Sequence, residues 1–327
     1  MKFNRRFILP VLMAAACLAV IPACKKDDDE DETKPSFSGL LSFNIPEYTY
    51  AGQKLTVTPS GAYRSDGGTY GYYWYSSAKS TVRDTTKYES DPETVLGTFT
   101  FKVPDTLATI SLNVAIYGDG YYTSTATRNT TVVKPGKSVT MPTPSDALSF
   151  NDSRDGKSLL YIHIGDLDWM IRNLQYAQGG AGYADCDIMK DVTGTFYTWE
   201  NALNACPEGW RLPTVAEYAE LCGGSFVGAA GHLMDDKAYF HEDRKWKYWP
   251  EVSADNATLF SAISAGYGNF DGESWTFDGL MSYAAFWTSD TADGERAAYI
   301  LLNAESPDVV VGYGHKEYFG ASVRCVR

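Results

Sequence analysis

At 327 residues the chain has room for about two domains. Its 44% hydrophobic and 14% aromatic content, with 23 Tyr and 8 Trp, excludes disorder for the bulk of it. A formal charge of -13, from 28 basic and 41 acidic residues, argues against a nucleic-acid partner, because counterion release from phosphates needs clustered Lys and Arg; six Cys are also too few for a disulfide scaffold.

The chain opens on Lys2, Arg5 and Arg6 and then runs without charge from Phe7 to Ala23. A basic start followed by an apolar stretch shorter than the ~20 residues that span a bilayer predicts an export signal over residues 1–23 rather than a permanent membrane helix. The stretch Ala19-Val20-Ile21-Pro22-Ala23-Cys24 resembles the bacterial lipobox, which implies cleavage before Cys24 and lipid attachment to it. Residues 24–35 form a tether in which Asp27 to Glu32 are all acidic, and such a block repels itself and stays extended. Acids directly behind a lipidated Cys resemble the surface-export signal of Bacteroidetes lipoproteins. The resemblance implies an outer-membrane lipoprotein exposed at the cell surface, with the bilayer as its first partner.

Residues 36–134 show no helical period. Short runs alternate apolar and polar positions between turn residues, which predicts an all-β domain. The predicted strands are Lys54 to Thr58, Tyr70 to Tyr75 around Trp74, Thr98 to Val103 with Phe99, Phe101 and Val103 on one face, and Ile110 to Ile116. Gly118-Asp119-Gly120 then turns the chain into a return strand from Tyr121, making a hairpin. Some seven strands with one Trp on a middle strand resemble an immunoglobulin-like or PKD-like sandwich, without the cysteines of the inter-sheet bridge. Pro135 and the Met141-Pro142-Thr143-Pro144 run place a linker over residues 135–147.

Residues 148–327 mix strand and helix patterns. A turn from Asp152 to Lys157 leads into a strand expected to alternate through Leu160, Ile162 and Ile164. Thr198 is placed to cap a helix that ends at Cys206-Pro207, and Thr214 to open a second one over Val215 to Leu221, with Glu217 at the capping-box position and Gly223-Gly224 as the stop. The stretch Ser261 to Phe270 and blocks 284–289, 296–303, 308–313 and 321–326 are expected to be strands or strand-loop units.

Several motifs recur in a fixed order here: Trp169-Met170-Ile171-Arg172-Asn173-Leu174, Tyr197-Thr198-Trp199-Glu200, Cys206-Pro207-Glu208-Gly209-Trp210-Arg211-Leu212-Pro213-Thr214, Phe286-Trp287-Thr288-Ser289 and Ser322-Val323-Arg324-Cys325-Val326-Arg327. From about Asp152 to the last residue this half resembles the Fibrobacter succinogenes major paralogous domain, which in turn looks like a branch of the C-type-lectin-like superfamily with formylglycine-generating enzymes as relatives. The resemblance implies an α+β fold with two short helices and an irregular antiparallel sheet. With Cys17 removed and Cys24 lipidated, Cys186, Cys206, Cys222 and Cys325 remain, and four cysteines allow three connectivities. The family pattern implies Cys206 with Cys325, which leaves Cys186 with Cys222.

Chemistry-bearing motifs are sparse. His163, His232, His241 and His315 make no zinc spacing. There is no Gly-x-Ser-x-Gly elbow, and Gly266-Tyr267-Gly268 with Asp271-Gly272 reads as a turn rather than a dinucleotide loop. Asp235-Asp236 with His241-Glu242-Asp243 is the densest acidic cluster; a solvated loop is the plainer assignment and a hard cation such as calcium the sharper one. The late cysteine of the enzyme relatives is here committed to the bridge, and the Glu-Pro-Asn loop of sugar-binding C-type lectins is missing, so neither activity carries over. No catalytic residue, metal ligand or cofactor is expected.

Aromatic surface remains. Trp246, Tyr248, Trp249, Tyr267, Phe270, Trp275, Phe277 and Tyr283 fall in the long middle of the domain among Gly, Asp and Asn, and such faces suit sugars or protein partners as well as they suit a loop-rich core. Trp246, Trp249, Tyr267 and Trp275 are the candidate ligand-binding residues. The expected function is a non-enzymatic, surface-anchored lipoprotein with a distal binding or adhesion domain for a glycan or protein ligand. The alternative is a structural or assembly subunit of a surface appendage or layer. Residues 135–327 carry 14 basic and 27 acidic residues, so the acidity of the chain is concentrated there.

Overall fold

A computed structural model of the chain describes residues 33–76, 84–88, 97–141, 143–235, 239–240, 243–244, 246 and 252–327. The export signal, Cys24, the acidic run, Tyr248, Trp249, Asp236, His241 and Glu242 lie outside the described residues. What is described is mostly β-sheet with a few short helices.

The N-terminal part holds β1 (Tyr48–Tyr50), β2 (Lys54–Val57), β3 (Tyr70–Ser76), β4 (Asp84–Tyr88), β5 (Phe99–Lys102), β6 (Thr109–Tyr117) and β7 (Ser124–Val133). Five of them form a sheet in the order β1-β7-β6-β3-β4, antiparallel except for β1 against β7, while β2 and β5 pair separately. Both sheets contribute to one core. Leu112, Val114 and Ile116 come from β6, Leu55 and Val57 from β2, Phe99 and Phe101 from β5, and Phe37, Leu41 and Phe43 from the chain leading in. Trp74 sits fully buried at its centre, stacked on Phe99 at 5.6 Å with its indole N–H donating to the Gly97 carbonyl at 2.9 Å. The hairpin expected at Gly118-Asp119-Gly120 is formed, with Gly120 at φ +77, where a side chain would be strained.

The linker does more than separate. Val139–Thr140 forms a short strand, β8, and Val139 is buried with Tyr48 and Val133 of the first part and Tyr183, Met189 and Ile263 of the second. One β-branched apolar residue between the prolines is enough to draw this segment into a shared core.

The C-terminal part begins with a meander of β9 (Leu148–Asn151), β10 (Ser158–Ile164) and β11 (Leu167–Met170). The expected alternation along β10 holds at Ile162 and Ile164, on either side of the exposed His163, but not at the strand's start, where Leu159 is buried and Leu160 is only half-buried. Then follow β12 (Gly180–Ala181), two 3-10 turns, α1 (Lys190–Thr193), β13 (Phe196–Tyr197), α2 (Trp199–Leu203), α3 (Val215–Leu221) and α4 (Ala230–Leu233). The remaining strands are β14 (Tyr239–Phe240, paired with β8), β15 (Asp243–Arg244), β16 (Tyr267–Phe270), β17 (Trp275–Asp278), β18 (Tyr283–Thr291), β19 (Arg296–Asn303), β20 (Val310–His315) and β21 (Phe319–Ser322). The main sheet runs β12-β13-β21-β18-β19-β20, with the β16–β17 hairpin attached to β21.

This sheet is covered on both faces, which explains the unbroken apolar run of β18. Ala284 and Phe286 join a cluster with Trp169, Tyr218 and Phe260, while the alternating Ala285 and Trp287 join one with Tyr197, Trp199 and Trp210.

The motif residues turn out to be joints of this scaffold. Trp287 donates its indole N–H to the Tyr197 carbonyl and Trp199 to that of Thr288, both at 2.8 Å. Trp210 stacks on Phe150 at 4.9 Å under the Arg327 guanidinium. Block 321–326 is a strand-loop unit, since β21 ends at Ser322 and Arg324 turns inward from a segment held by bridges from Val326 to Trp169 and Arg211.

Cys206 and Cys325 form the expected disulfide, tying the turn after α2 to the last residues. Cys186 and Cys222 are not paired. Cys186 is buried in the cluster shared with Tyr48 and Met189, whereas Cys222, at the end of α3, packs against the separate Trp169 cluster. Burial raises both thiols, Cys222 to about 11, so neither is poised as a thiolate.

Thr198 stands at the cap position of α2, but its side chain makes no cap bond. The capping box on α3 is complete, with Glu217 N–H donating to Thr214 Oγ1 at 3.1 Å and Thr214 N–H donating to Glu217 Oε2 at 2.7 Å. Arg211 of the Arg-Leu-Pro-Thr motif pairs with the same carboxylate, and this contact, ahead of the Thr214 N–H, holds Glu217 below the usual carboxylate range. A depressed carboxylate pKa gives stability that is present above the unfolded value, near 4.5, and is lost as pH falls through the folded one. Glu217→Gln is therefore expected to cost about 1 kcal/mol at pH 7, and the gap in urea midpoint between the variant and the unmodified chain should narrow progressively as pH falls below 4.5. A gap that persists undiminished at pH 3 would contradict the charge-based account.

Candidate functional site

Hairpin β16–β17 is fixed to the main sheet by pairing of Gly268 with Gly320 and Asn269 with Phe319. Its turn begins at Asp271, whose carboxylate accepts from the N–H groups of Glu273 and Ser274 at 2.9 and 2.8 Å and from Ser274 Oγ at 3.0 Å. These bonds, that of the Ser274 N–H first, hold the Asp271 carboxyl below its ordinary value, so it is anionic around neutral pH.

Two glycines make the seat of Trp275. A Cβ on Gly320 would lie 2.3 Å from Trp275 Cζ3, and one on Gly268 would lie 3.0 Å from Cε3, so the indole rests directly on backbone. Trp275 also stacks on Phe277 at 5.8 Å and meets Phe270 at 5.1 Å with a 30° tilt.

The facing wall comes from α2 and the turn between β20 and β21. The Trp199 N–H donates to the Lys316 carbonyl at 2.9 Å and the Phe270 N–H to that of Tyr318 at 2.7 Å, drawing three distant segments together. Between them lies an open groove of about 610 Å³ lined by Gly179, Gly180, Thr198, Glu200, Asn201, Phe270, Asp271, Gly272, Trp275, Glu317 and Tyr318. Gly180 must be small, because a Cβ there would stand 2.4 Å from the Phe196 carbonyl oxygen.

Among the described residues the lining holds three aromatic rings, three carboxylates and one amide, without a Lys, Arg or His. The nearby Lys316 is turned away, donating to the carbonyls of Asp293 and Gly294 at 2.9 and 3.0 Å and lying over the Trp199 ring. His315 stacks on Tyr318 at 4.3 Å, with its Nδ1 accepting from the Glu317 N–H at 3.2 Å. Rings that a ligand can lie on, with acceptors at their edges, suit a polyhydroxylated or cationic ligand.

Of the candidate ligand-binding residues, Trp275 is brought into this groove. Trp246 is not: it is 4% exposed, and its indole N–H donates to the Ala262 carbonyl at 3.1 Å, so it belongs to the core. Its ring packs in the cluster that holds Trp169, Tyr218 and Phe260. Tyr267 is half-buried, stacked on Phe319 at 5.9 Å and edge-on to Tyr283, and burial raises its phenol. Trp249 lies outside the described residues. The sequence set also missed Tyr318, Glu317, Glu200 and Asn201, which lie on other elements. The Phe270-Asp271-Gly272-Glu273-Ser274-Trp275 hairpin marked only one wall.

Asp235, from the dense acidic cluster, is 4% exposed. Among the described residues no group of three or more His, Cys, Asp or Glu could hold a metal ion, and no helix is long and apolar enough to cross a membrane.

No curated protein matches the chain. Among solved structures it is similar to superoxide reductase (neelaredoxin) from Ignicoccus hospitalis and to single-residue variants of that protein. Two of these matches have 17% identity and a TM-score of 0.24, covering 30% of this chain and 82–83% of the other, a level that carries no argument about fold or chemistry. The family model described as Fibrobacter succinogenes major domain (Fib_succ_major) matches residues 162–327, starting within β10 rather than at Asp152. That match spans half of the chain and includes each of the ordered motifs, and the chain belongs to the Fibrobacter succinogenes major domain family.

Proposed function

We propose that the chain is a non-enzymatic, surface-anchored outer-membrane lipoprotein whose C-terminal domain binds a glycan in the groove beside Trp275. The signal over residues 1–23, a lipid on Cys24 and the acidic tether would hold it at the membrane. An immunoglobulin-like or PKD-like sandwich would act as the spacer and a C-type-lectin-like domain as the reader. The observation that carries the proposal is the aromatic surface of Phe270, Trp275 and Tyr318, bordered by Glu200, Asn201 and Glu317. Sugar rings stack on such faces through their C–H groups while hydroxyls find acceptors at the rim.

A glycan array probed with the full-length protein tests this. Binding is expected, and Trp275→Ala should weaken it at least tenfold, consistent with the ~0.5–1.5 kcal/mol of a ring contact plus the buried area lost with it. Absence of binding to any glycan would overturn the proposal and favour assembly into a surface structure. That second function has its own support in β20, an edge strand of the main sheet whose Val310-Val311-Gly312-Tyr313-Gly314 carries no charge or proline.

A further inference from the structure

From the charge of the groove we infer that its preferred ligand is a glycan bearing a protonated amine, an amino sugar whose nitrogen is not acetylated. The inference rests on the glycan-binding proposal and goes beyond it by naming the group that is recognised.

Three features of the groove support it together. The aromatic rings of Phe270, Trp275 and Tyr318 present π faces, which attract cations as well as sugar C–H groups. Beside them stand Glu200 and Glu317, both exposed, and neither makes a side-chain hydrogen bond or ion pair among the described residues. The basic group that would otherwise neutralise them, Lys316, is held by the backbone carbonyls of Asp293 and Gly294. Asp271 adds a third carboxylate whose orientation is fixed by its turn bonds. A sialylated or sulfated glycan would meet this wall with like charge and, among the described lining residues, without a compensating cation. A neutral sugar would use the rings alone and leave the carboxylates to water. An ammonium at the rim would face both the rings and the unpaired carboxylates.

The test uses the full-length protein, with tryptophan fluorescence and calorimetry as readouts. The probes are a glucosamine oligosaccharide, its fully N-acetylated counterpart of equal length, and a lysine tetrapeptide. The amine-bearing sugar is expected to bind at least tenfold more tightly than the acetylated one at low salt. That ratio should shrink at 0.5 M salt, because exposed charges are screened within a few ångströms there. In Glu200→Gln/Glu317→Gln the amine-bearing sugar should fall to the affinity of the acetylated one. Equal binding of the two sugars by the unmodified protein would overturn the amine inference and leave the glycan site standing. Tight binding of the tetrapeptide with weak binding of both sugars would overturn it in favour of a basic peptide ligand. If neither sugar bound and the glycan array was also blank, the site itself would fail.

Discussion

Removing the Cys206–Cys325 disulfide is expected to destabilise the C-terminal domain by about 3–5 kcal/mol. The two cysteines are 119 residues apart, and a crosslink closing a loop of that length lowers the entropy of the unfolded chain by an amount worth about 5 kcal/mol in the loop-closure model, with measured effects often smaller. The position of the bridge adds to this. Cys325 is fully buried, and its carbonyl accepts from the Met170 N–H at 3.0 Å, so the last residues close the core over Trp169 and Trp210. Urea unfolding of Cys206→Ala/Cys325→Ala should show an unfolding free energy lower by that amount with an unchanged native spectrum. Alkylation gives an independent check. In the native, non-reduced protein Cys186 and Cys222 should both react slowly, since burial raises both thiols, and both should react fully once urea unfolds the chain. Failure of Cys186 and Cys222 to react in urea without reductant would mean that they are bridged to each other after all.

The cysteines illustrate what was legible before the fold was known. Cys206 and Cys325 belong to ordered motifs whose positions relative to the scaffold are fixed, so the family resemblance carried their pairing. Cys186 and Cys222 lie outside those motifs, and assigning them by elimination ignored that each can be buried alone as a small apolar group. The same division runs through the fold. Alternation marked β5 and β6, where one face meets a core and the other meets solvent, and the Thr214–Glu217 spacing marked α3. Alternation failed along β18 and at the start of β10, because clusters cover both faces there and burial no longer has a period of two.

The site was the least legible part, for a geometric reason. The motifs that identify the family are spent on the scaffold: Trp287, Trp199 and Trp210 are buried, and Arg211 completes a helix cap. The groove instead joins residues from the Gly179–Gly180 segment, α2, the β16–β17 hairpin and the β20–β21 turn, separated by up to 139 positions, from Gly179 to Tyr318. No local pattern links them. An exposed aromatic in one segment could be told from a core aromatic only through its neighbours, and the two tryptophans Trp246 and Trp275 look alike in sequence yet one fills a core and the other lines a groove.

Arg324 is expected to be the most sensitive single position in the scaffold. It is fully buried, and its guanidinium donates to Asn173 Oδ1 at 2.8 Å and to the carbonyls of Met170, Phe260 and Ser261 at 3.1, 2.7 and 3.0 Å. Its plane also lies by the rings of Phe260 and Phe286 at 4.7 and 5.5 Å. One planar fork thus satisfies acceptors from β11, the Met170–Leu174 motif and the Phe260–Ser261 loop, where Ser261 itself is held at φ +55. Burial lowers the guanidinium pKa and Arg172 lowers it further, while Tyr218 and Asp235 oppose the shift. Arg324→Met would keep the volume but leave four acceptors without their donor in a dry interior, and buried groups stripped of a charged partner typically cost 3–5 kcal/mol. A loss of about that size is expected in urea unfolding. Arg324→Lys keeps a positive charge, but its donors radiate from one atom and cannot reach acceptors spread around a fork, so it should recover only a minor part of the loss. Should the lysine variant prove as stable as the unmodified chain, charge alone would be the requirement and the four-point geometry would be incidental. Should Arg324→Met prove neutral, the acceptors must be satisfied by water, and the guanidinium would not be what joins the C-terminal segment to the Asn173 and Phe260 loops.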